Sequence, residues 1–145
     1  MIIRELRTED VEPLCAIESR AFSMPWSAAD FARLIRDRDS LYLVAEEDGR
    51  VVGSCGVTNV SGDGEIDNVV VDEAYRNRGI ATALLRETLK RGRAMGVKAF
   101  TLEVRVSNAA AIHVYENAGF VSEGIRPRFY EKPTEDAMIL WKRDD

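Results

Sequence analysis

Residues 65–95 read Glu65-Ile-Asp-Asn-Val-Val-Val-Asp72, then Glu-Ala-Tyr75, then Arg76-Asn-Arg-Gly79-Ile80-Ala81-Thr82, then an amphipathic run to Met95. The triple Val69-Val70-Val71 is β-branched and too short for a helix, which predicts a strand buried on both faces. After Gly79 the period changes. Ile80, Leu84, Leu85, Thr88 and Leu89 recur at helical spacing, while Arg86, Lys90 and Arg91 fall on other faces. Gly96 predicts the left-handed stop of this helix, and Arg91 and Arg93 suit its negative end. The turn between strand and helix is the informative part. Gly79 has no Cβ and Ala81 almost none, so a ligand can come close to the backbone there. The amides of residues 78–82 are the unpaired donors of the helix's first turn, at the positive end of its dipole. Such a corner suits phosphate, and Arg76 and Arg78 add charge around it. It is not a Walker loop, because no Gly-Lys-Ser/Thr follows. It is not the dinucleotide fingerprint either, because Ala81 and Leu84 hold the second and third glycine positions. An ordinary strand-turn-helix with a glycine cap fits the spacing equally well.

Arg76-x-x-Gly79-x-Ala81, preceded by Val71-Asp72-x-x-Tyr75, resembles the acetyl-CoA pyrophosphate loop of the Gcn5-related N-acetyltransferases (GNAT). The resemblance implies that Arg76, Asn77, Arg78, Gly79, Ile80, Ala81 and Thr82 surround the cofactor's pyrophosphate. It also implies that backbone groups of Val69, Val70 and Val71 pair with the pantetheine arm as an added strand would, an amide near Val71 polarising the acetyl carbonyl. Such pairing requires the strand to splay from its neighbour, and a bulge around Asp67 or Asn68 would do it.

At 145 residues, 46% of them hydrophobic, the chain suits one domain, residues 1–145, with a sizeable core. No apolar run approaches the roughly 20 residues needed to span a bilayer, and no basic-then-apolar leader opens the sequence. Cys15 and Cys55 fit no metal-ligand spacing and read as reduced cysteines of a cytoplasmic protein. No metal is expected. A net charge of −5 argues against nucleic acid and favours a basic substrate. A monomer or weak homodimer is expected, with no membrane partner.

Taken in order, Ile2 to Leu6 predicts a strand, and Thr8 with Asp10 and Glu12 opens a helix to about Phe22. Pro25-Trp26-Ser27 is a loop, Ser27 capping a helix to Ile35. Leu41–Ala45 and Val51–Val60 read as strands around the Asp48-Gly49 turn. Val97–Val104 is a strand parallel to the one before the helix, by a right-handed crossover. Asn108 caps a helix stopped at Gly119. Phe120–Ile125 and Ala137–Trp141 pair around an irregular Arg126-to-Asp136 loop. The expected fold is α/β, three-layered, with a mixed sheet of six to seven strands and about four helices.

Amide formation from a thioester needs a neutral amine, a polarised carbonyl and a proton for the departing thiolate. No Ser-His-Asp or Cys-His arrangement is evident, which favours direct attack over an acyl-enzyme. In Phe100–Val106 alternation puts Leu102, Val104 and Val106 on one face and Thr101, Glu103 and Arg105 on the other. Glu103, near the end of a central parallel strand, is the candidate base; a salt bridge to Arg105 or another cation is the competing reading. Tyr115, on the stripe Ala111, Val114, Tyr115 and Ala118, is the candidate acid, protonated at its ordinary pKa of about 10; a plain core aromatic is the alternative. His113 lies off the stripe, on the surface.

Leu102-Glu103-Val104-Arg105-x-Ser107-Asn108-x-Ala110-Ala111-Ile112-x-x-Tyr115-x-x-x-Gly119-Phe120 is similar to the bacterial ribosomal-protein alanine acetyltransferases, the RimI type, as are Pro25-Trp26-Ser27 and Ile125-Arg126-x-x-x-Tyr130 before Glu135-Asp136-Ala137. That likeness implies Glu103 as general base, Tyr115 as general acid and cofactor neighbour, and Asn108 as a coenzyme A contact. It implies a groove for the acceptor lined by Trp26, Tyr130, Glu135 and Asp136. It points to an N-terminal alanine of a small-subunit ribosomal protein, number eighteen. Trp26 reads equally as a loop anchor on the core. A free α-amine, pKa near 8, is neutral roughly 250 times more often than a lysine amine at neutral pH, which ranks the two acceptors. Lysine or small-molecule acetylation, and a non-catalytic acyl-CoA sensor, are the other readings.

Overall fold

The computed structural model describes residues 1–143, apart from the side chain of Asn68. Seven strands, β1 (Ile2–Glu5), β2 (Ser40–Glu47), β3 (Arg50–Val60), β4 (Asp63–Val71), β5 (Ala99–Arg105), β6 (Val121–Tyr130) and β7 (Glu135–Lys142), form one sheet in the order β1-β2-β3-β4-β5-β7-β6. Four helices flank it: α1 (Val11–Ala21), α2 (Ala28–Arg36), α3 (Ile80–Ala94) and α4 (Ala109–Asn117). The three-layer mixed α/β fold is the one expected, with β4 and β5 as its parallel pair.

Two cores, one on each face of the sheet, fix the layers. Leu84, Leu85 and Leu89 of α3 and Tyr115 of α4 pack on Leu43, Val57, Phe100, Leu102 and Leu140. On the opposite face Leu14 and Ile17 of α1 and Phe31 of α2 pack on Tyr42, Val44 and Val70. Each fully buried leucine or phenylalanine contributes about 1.5–3 kcal/mol by leaving water. The loop before α2 is tied by a capping box, in which the Asp30 amide donates to Ser27 Oγ at 3.2 Å and the Ser27 amide to Asp30 Oδ2 at 2.8 Å.

Two irregularities of β4 position the site. Ser54 pairs with Val70 but Gly56 pairs with Asp67, so two residues of β4, 68 and 69, oppose Cys55 alone. This bulge flips the alternation: Ile66 faces the α3 side, yet Val70 packs with α1 and α2 while Val69 and Val71 turn toward α3. The second irregularity is the parallel pairing, which runs only from Asp63↔Ala99 to Glu65↔Thr101. Beyond it β4 and β5 diverge, and the β5-facing edge of β4 through Val71 has no strand partner among the described residues. Both the bulge and the splay are as expected.

One expectation is corrected. Arg126 to Asp136 is not an irregular loop: β6 continues to Tyr130, β7 starts at Glu135, and only residues 131–134 form the turn. The strand survives Pro127 because β6 is an edge strand, and the register shift between Arg126 and Tyr130, with Arg128 at φ 53°, absorbs the irregularity.

Candidate active site

The splay opens a cleft of about 520 Å³ between β4, α3 and α4. Its walls hold Val69, Val70, Val71, Arg76, Asn77, Gly79, Ile80, Ala81, Thr82, Asn108 and Tyr115, bringing together all but one of the residues assigned to the cofactor. The exception is Arg78, whose guanidinium instead lies over the Tyr75 ring, 5.0 Å from its centroid. Ala21 and Phe22 at the end of α1, with Tyr75, Ala110, Ala111 and Val114, complete the cleft and were not foreseen. Phe22 carried the one available signal, an aromatic residue placed after the helix's last buried position and left 37% exposed.

The loop is built for an anion. Asn77 and Gly79 both adopt left-handed backbone, at φ 63° and 78°. They lead into α3, whose first helical bond is the Ala83 amide donating to the Gly79 carbonyl at 3.0 Å. The amides from Asn77 to Thr82 have no acceptor among the described residues. A Cβ on Gly79 would meet nothing within 4 Å, so the space above this backbone is open. Arg76 folds back and donates from Nε to the Val71 carbonyl at 3.3 Å, fixing its charge beside the strand edge. Open backbone, unpaired amides and a helix N-terminus fit the diphosphate of coenzyme A. Asn108 caps α4, its Oδ1 accepting from the Ala111 amide at 3.2 Å. The Asn108 Nδ2 is left without an acceptor among the described residues.

At the far end of the cleft Tyr115 is 7% exposed, its ring against Phe120 at 5.9 Å and its hydroxyl without a partner among the described residues. Burial, then the neighbouring Cys55 and Tyr130, push its pKa well up, so the phenol keeps its proton. Tyr130 is pushed up to about 12, by burial first and then by the Glu103 carboxylate. Tyr130 therefore lies within electrostatic reach of both Glu103 and Tyr115. Arg126 Nη1 is 3.6 Å from Glu103 Oε2, an exposed pairing across the sheet. The expected alternative partner, Arg105, is engaged elsewhere. Its Nη1 donates to the Pro133 carbonyl at 2.9 Å and to Glu135 Oε1 at 3.2 Å, its Nη2 donates to the Glu131 carbonyl at 2.8 Å, and its guanidinium stacks on Tyr130 at 4.6 Å.

Three residues expected to line the acceptor groove are engaged in the fold. Glu135 Oε2 accepts from the Ser107 amide at 2.8 Å while its Oε1 holds Arg105, so the carboxylate ties the end of β5 to β7. Asp136 Oδ1 accepts from the Arg128 amide at 3.0 Å. Trp26 packs on Phe31 and Tyr42, with ring centroids 5.4 and 5.8 Å away. Its amide donates to Glu18 Oε1 at 3.1 Å, anchoring the α1–α2 loop. His113 is exposed and pairs with Asn117 at 3.1 Å. Among the described residues no group of three His, Cys, Asp or Glu could hold a metal, and no helix is long and apolar enough to cross a membrane.

Comparison with known proteins points the same way. Residues 11–120 match the model of the acetyltransferase (GNAT) family. The chain is 35% identical over 142 residues to the ribosomal protein bS18-alanine N-acetyltransferase of Escherichia coli strain K12, covering 95% of this chain and 94% of that one. It is 33% identical over 148 residues to the N-alpha-acetyltransferase RimI of Mycobacterium tuberculosis, covering 98% of this chain and 91% of that one. The crystal structure of the ribosomal-protein-S18-alanine N-acetyltransferase from Escherichia coli superposes with a TM-score of 0.88 at 33% identity, covering 97% of this chain and 91% of that one.

Proposed function

The chain belongs to the acetyltransferase (GNAT) family, and from that premise we propose that it moves the acetyl group of acetyl-CoA to the N-terminal α-amine, alanine first, of a small-subunit ribosomal protein of the bS18 type, in the cytoplasm. The observation that carries this reading is the splay of β4 from β5 beyond Glu65 and Thr101, which opens onto unpaired amides at one end and the Tyr115 phenol at the other. The likeness to the Escherichia coli and Mycobacterium tuberculosis acetyltransferases supports the choice of acceptor.

Acetyl-CoA supplies a thioester-activated acetyl group. The amides of Asn77 to Thr82 hold the diphosphate, with Arg76 beside them. The free edge of β4 at Val69 to Val71 orients the pantetheine arm, and Asn108 Nδ2 donates to it. An amide at the end of β4 polarises the carbonyl. Glu103, on the opposite sheet face from Leu102 and Val104, takes a proton from the attacking nitrogen. Tyr115, kept protonated by burial, gives its proton to the sulfur that leaves. The groove between Tyr130 and the α1–α2 loop that carries Trp26 receives the peptide.

Mass spectrometry on a peptide mixture incubated with acetyl-CoA tests the reading. The mixture contains free Ala, Ser and Met N-termini and a blocked peptide with an internal lysine. Modification led by the alanine N-terminus is expected; preferential modification of the blocked peptide would remove the N-terminal assignment.

A further inference from the structure

An amine that arrives as an ammonium must lose two protons to become an amide nitrogen, and a single carboxylate holds one. The wedge between β4 and β5 offers a second. Glu65 pairs with Thr101 at the last rung of the parallel ladder. Two residues further along each strand stand Asp67 and Glu103, one on each side of the opening. They share a sheet face: Ile66 on β4 and Leu102 on β5 are buried on the α3 side, so their neighbours Asp67 and Glu103 point the other way, toward the acceptor side. Opposite Asp67 on β3 is Gly56, where the Tyr42 ring of β2 packs in the place a side chain would take, and the next residue along β4 starts the bulge.

We propose that Asp67 is a catalytic residue of the acceptor site, the carboxylate that receives the incoming ammonium across the wedge from Glu103 and takes its first proton. This rests on the acetyl-transfer reading above. Asp67 forms no hydrogen bond or ion pair with any described residue, so it is not consumed by the fold as Glu135 is. Burial, then Glu65 and Glu103, raise its pKa to about 6, closer to that of an α-amine than an ordinary aspartate lies. The titratable groups coupled to it are Tyr42 on β2, Cys55 on β3, Glu65 on β4 and Glu103 on β5, and no cation is among them.

The protons then balance. The ammonium gives one proton to Asp67, and the freed lone pair forms the N–C bond as the C–S bond breaks. The nitrogen gives its second proton to Glu103, Tyr115 gives its phenolic proton to sulfur, and Glu103 returns its proton to Tyr115 through solvent. Asp67 releases the remaining proton to water, the one net proton of the reaction.

The test compares wild type, Asp67→Asn, Asp67→Ser and Glu103→Gln across pH 6.5 to 9.5, on a peptide with a free alanine N-terminus and acetyl-CoA. Removing Asp67 should lower kcat/KM about 10²-fold near pH 7. The loss should shrink toward pH 9.5, where the amine arrives neutral and its first proton is already gone. The Glu103→Gln loss should persist at every pH, because the second proton always remains. An Asp67 loss of the same size at all pH values, or none, would overturn the proposal while wild-type turnover on the peptide leaves the acetyl-transfer reading standing. If wild type modifies only another amine, that reading falls and the same comparison is run on that amine. Carboxyl carbon NMR is a second measurement that needs no turnover. The resonance that disappears in Asp67→Asn should titrate near pH 6, and added peptide should shift it; a resonance blind to the peptide would overturn the proposal.

Discussion

The donor corner and the acceptor wall of this cleft are built in opposite ways. The proposed donor corner is one continuous stretch, β4 through the first turn of α3, and most of the groups it offers are backbone: the amides of residues 77–82 and the edge of β4 left unpaired among the described residues. The proposed acceptor wall is collected from Asp67, Glu103, Tyr115 and Tyr130, which lie on β4, β5, α4 and β6, and of these Tyr115 also lines the cleft. Its groups are side chains, of which Glu103 and Tyr130 are held by Arg126 and Arg105. A backbone site tolerates most side-chain changes but depends on the few residues that allow its φ values. A side-chain site loses its chemistry with a single functional group.

The largest expected contrast lies in the reacting groups. Glu103→Gln and Tyr115→Phe should each lower kcat about 10²-fold, with coenzyme A affinity by calorimetry within twofold of wild type, about 0.4 kcal/mol. Full turnover by both variants would remove the roles assigned to them. Gly79→Ala should do the reverse. A left-handed position costs an L residue roughly 1–2 kcal/mol, and the new methyl enters the space open above the loop. Coenzyme A affinity should fall about tenfold, or 1.4 kcal/mol, with kcat at saturating cofactor largely kept.

Arg105→Ala gives a smaller effect, confined to the acceptor wall. It releases the 131–134 turn and the stack on Tyr130. The peptide KM should rise about fivefold while the acetyl-CoA KM is unchanged, a fraction of the roughly 1.5–3 kcal/mol that a charged hydrogen bond carries. Equal effects on both KM values would mean the two regions are not separable.

The smallest effect is on stability. Glu18 is wholly buried beneath the α1–α2 loop, its Oε2 without a partner among the described residues. Burial raises its pKa to about 7. Because the folded pKa lies above the unfolded one, the folded protein binds this proton more tightly. The stabilisation is full below the unfolded pKa, about 4.3, and is lost as pH rises through 7. Wild-type melting temperature should therefore climb by about 2–4 °C for each kcal/mol gained between pH 8 and pH 5. Glu18→Gln should lack that climb, as thermal denaturation by circular dichroism can check.

The same contrast governs what the sequence made legible. The donor corner could be read in advance because its signals are local: a β-branched triple, a glycine where φ is 78° and a change of period at Ile80. The bulge and splay needed family likeness, since Asp67-Asn68-Val69 carries no Gly or Pro that marks an irregular strand. The β6 extension was hidden by Arg126-Pro127-Arg128, which breaks alternation and reads as a loop. The insertion of β7 between β5 and β6 leaves no local trace. Glu135 and Asp136 looked available because carboxylates on a polar turn usually face water; their engagement with Ser107, Arg105 and Arg128 exists only once β5, β6 and β7 are side by side. Asp67 was overlooked for the same reason, because its proximity to Glu103 is set by pairing between strands.

A crystal structure with coenzyme A and an alanine-started peptide tests the central claim, that backbone donors ahead of α3 aim a thioester along the free edge of β4 into the wedge beside Glu103 and Tyr115. The account predicts diphosphate oxygens on the amides between Asn77 and Thr82, the sulfur within hydrogen-bond reach of the Tyr115 hydroxyl, and the peptide amine between Asp67 and Glu103. A diphosphate bound anywhere else, or a sulfur pointing away from Tyr115, would contradict it.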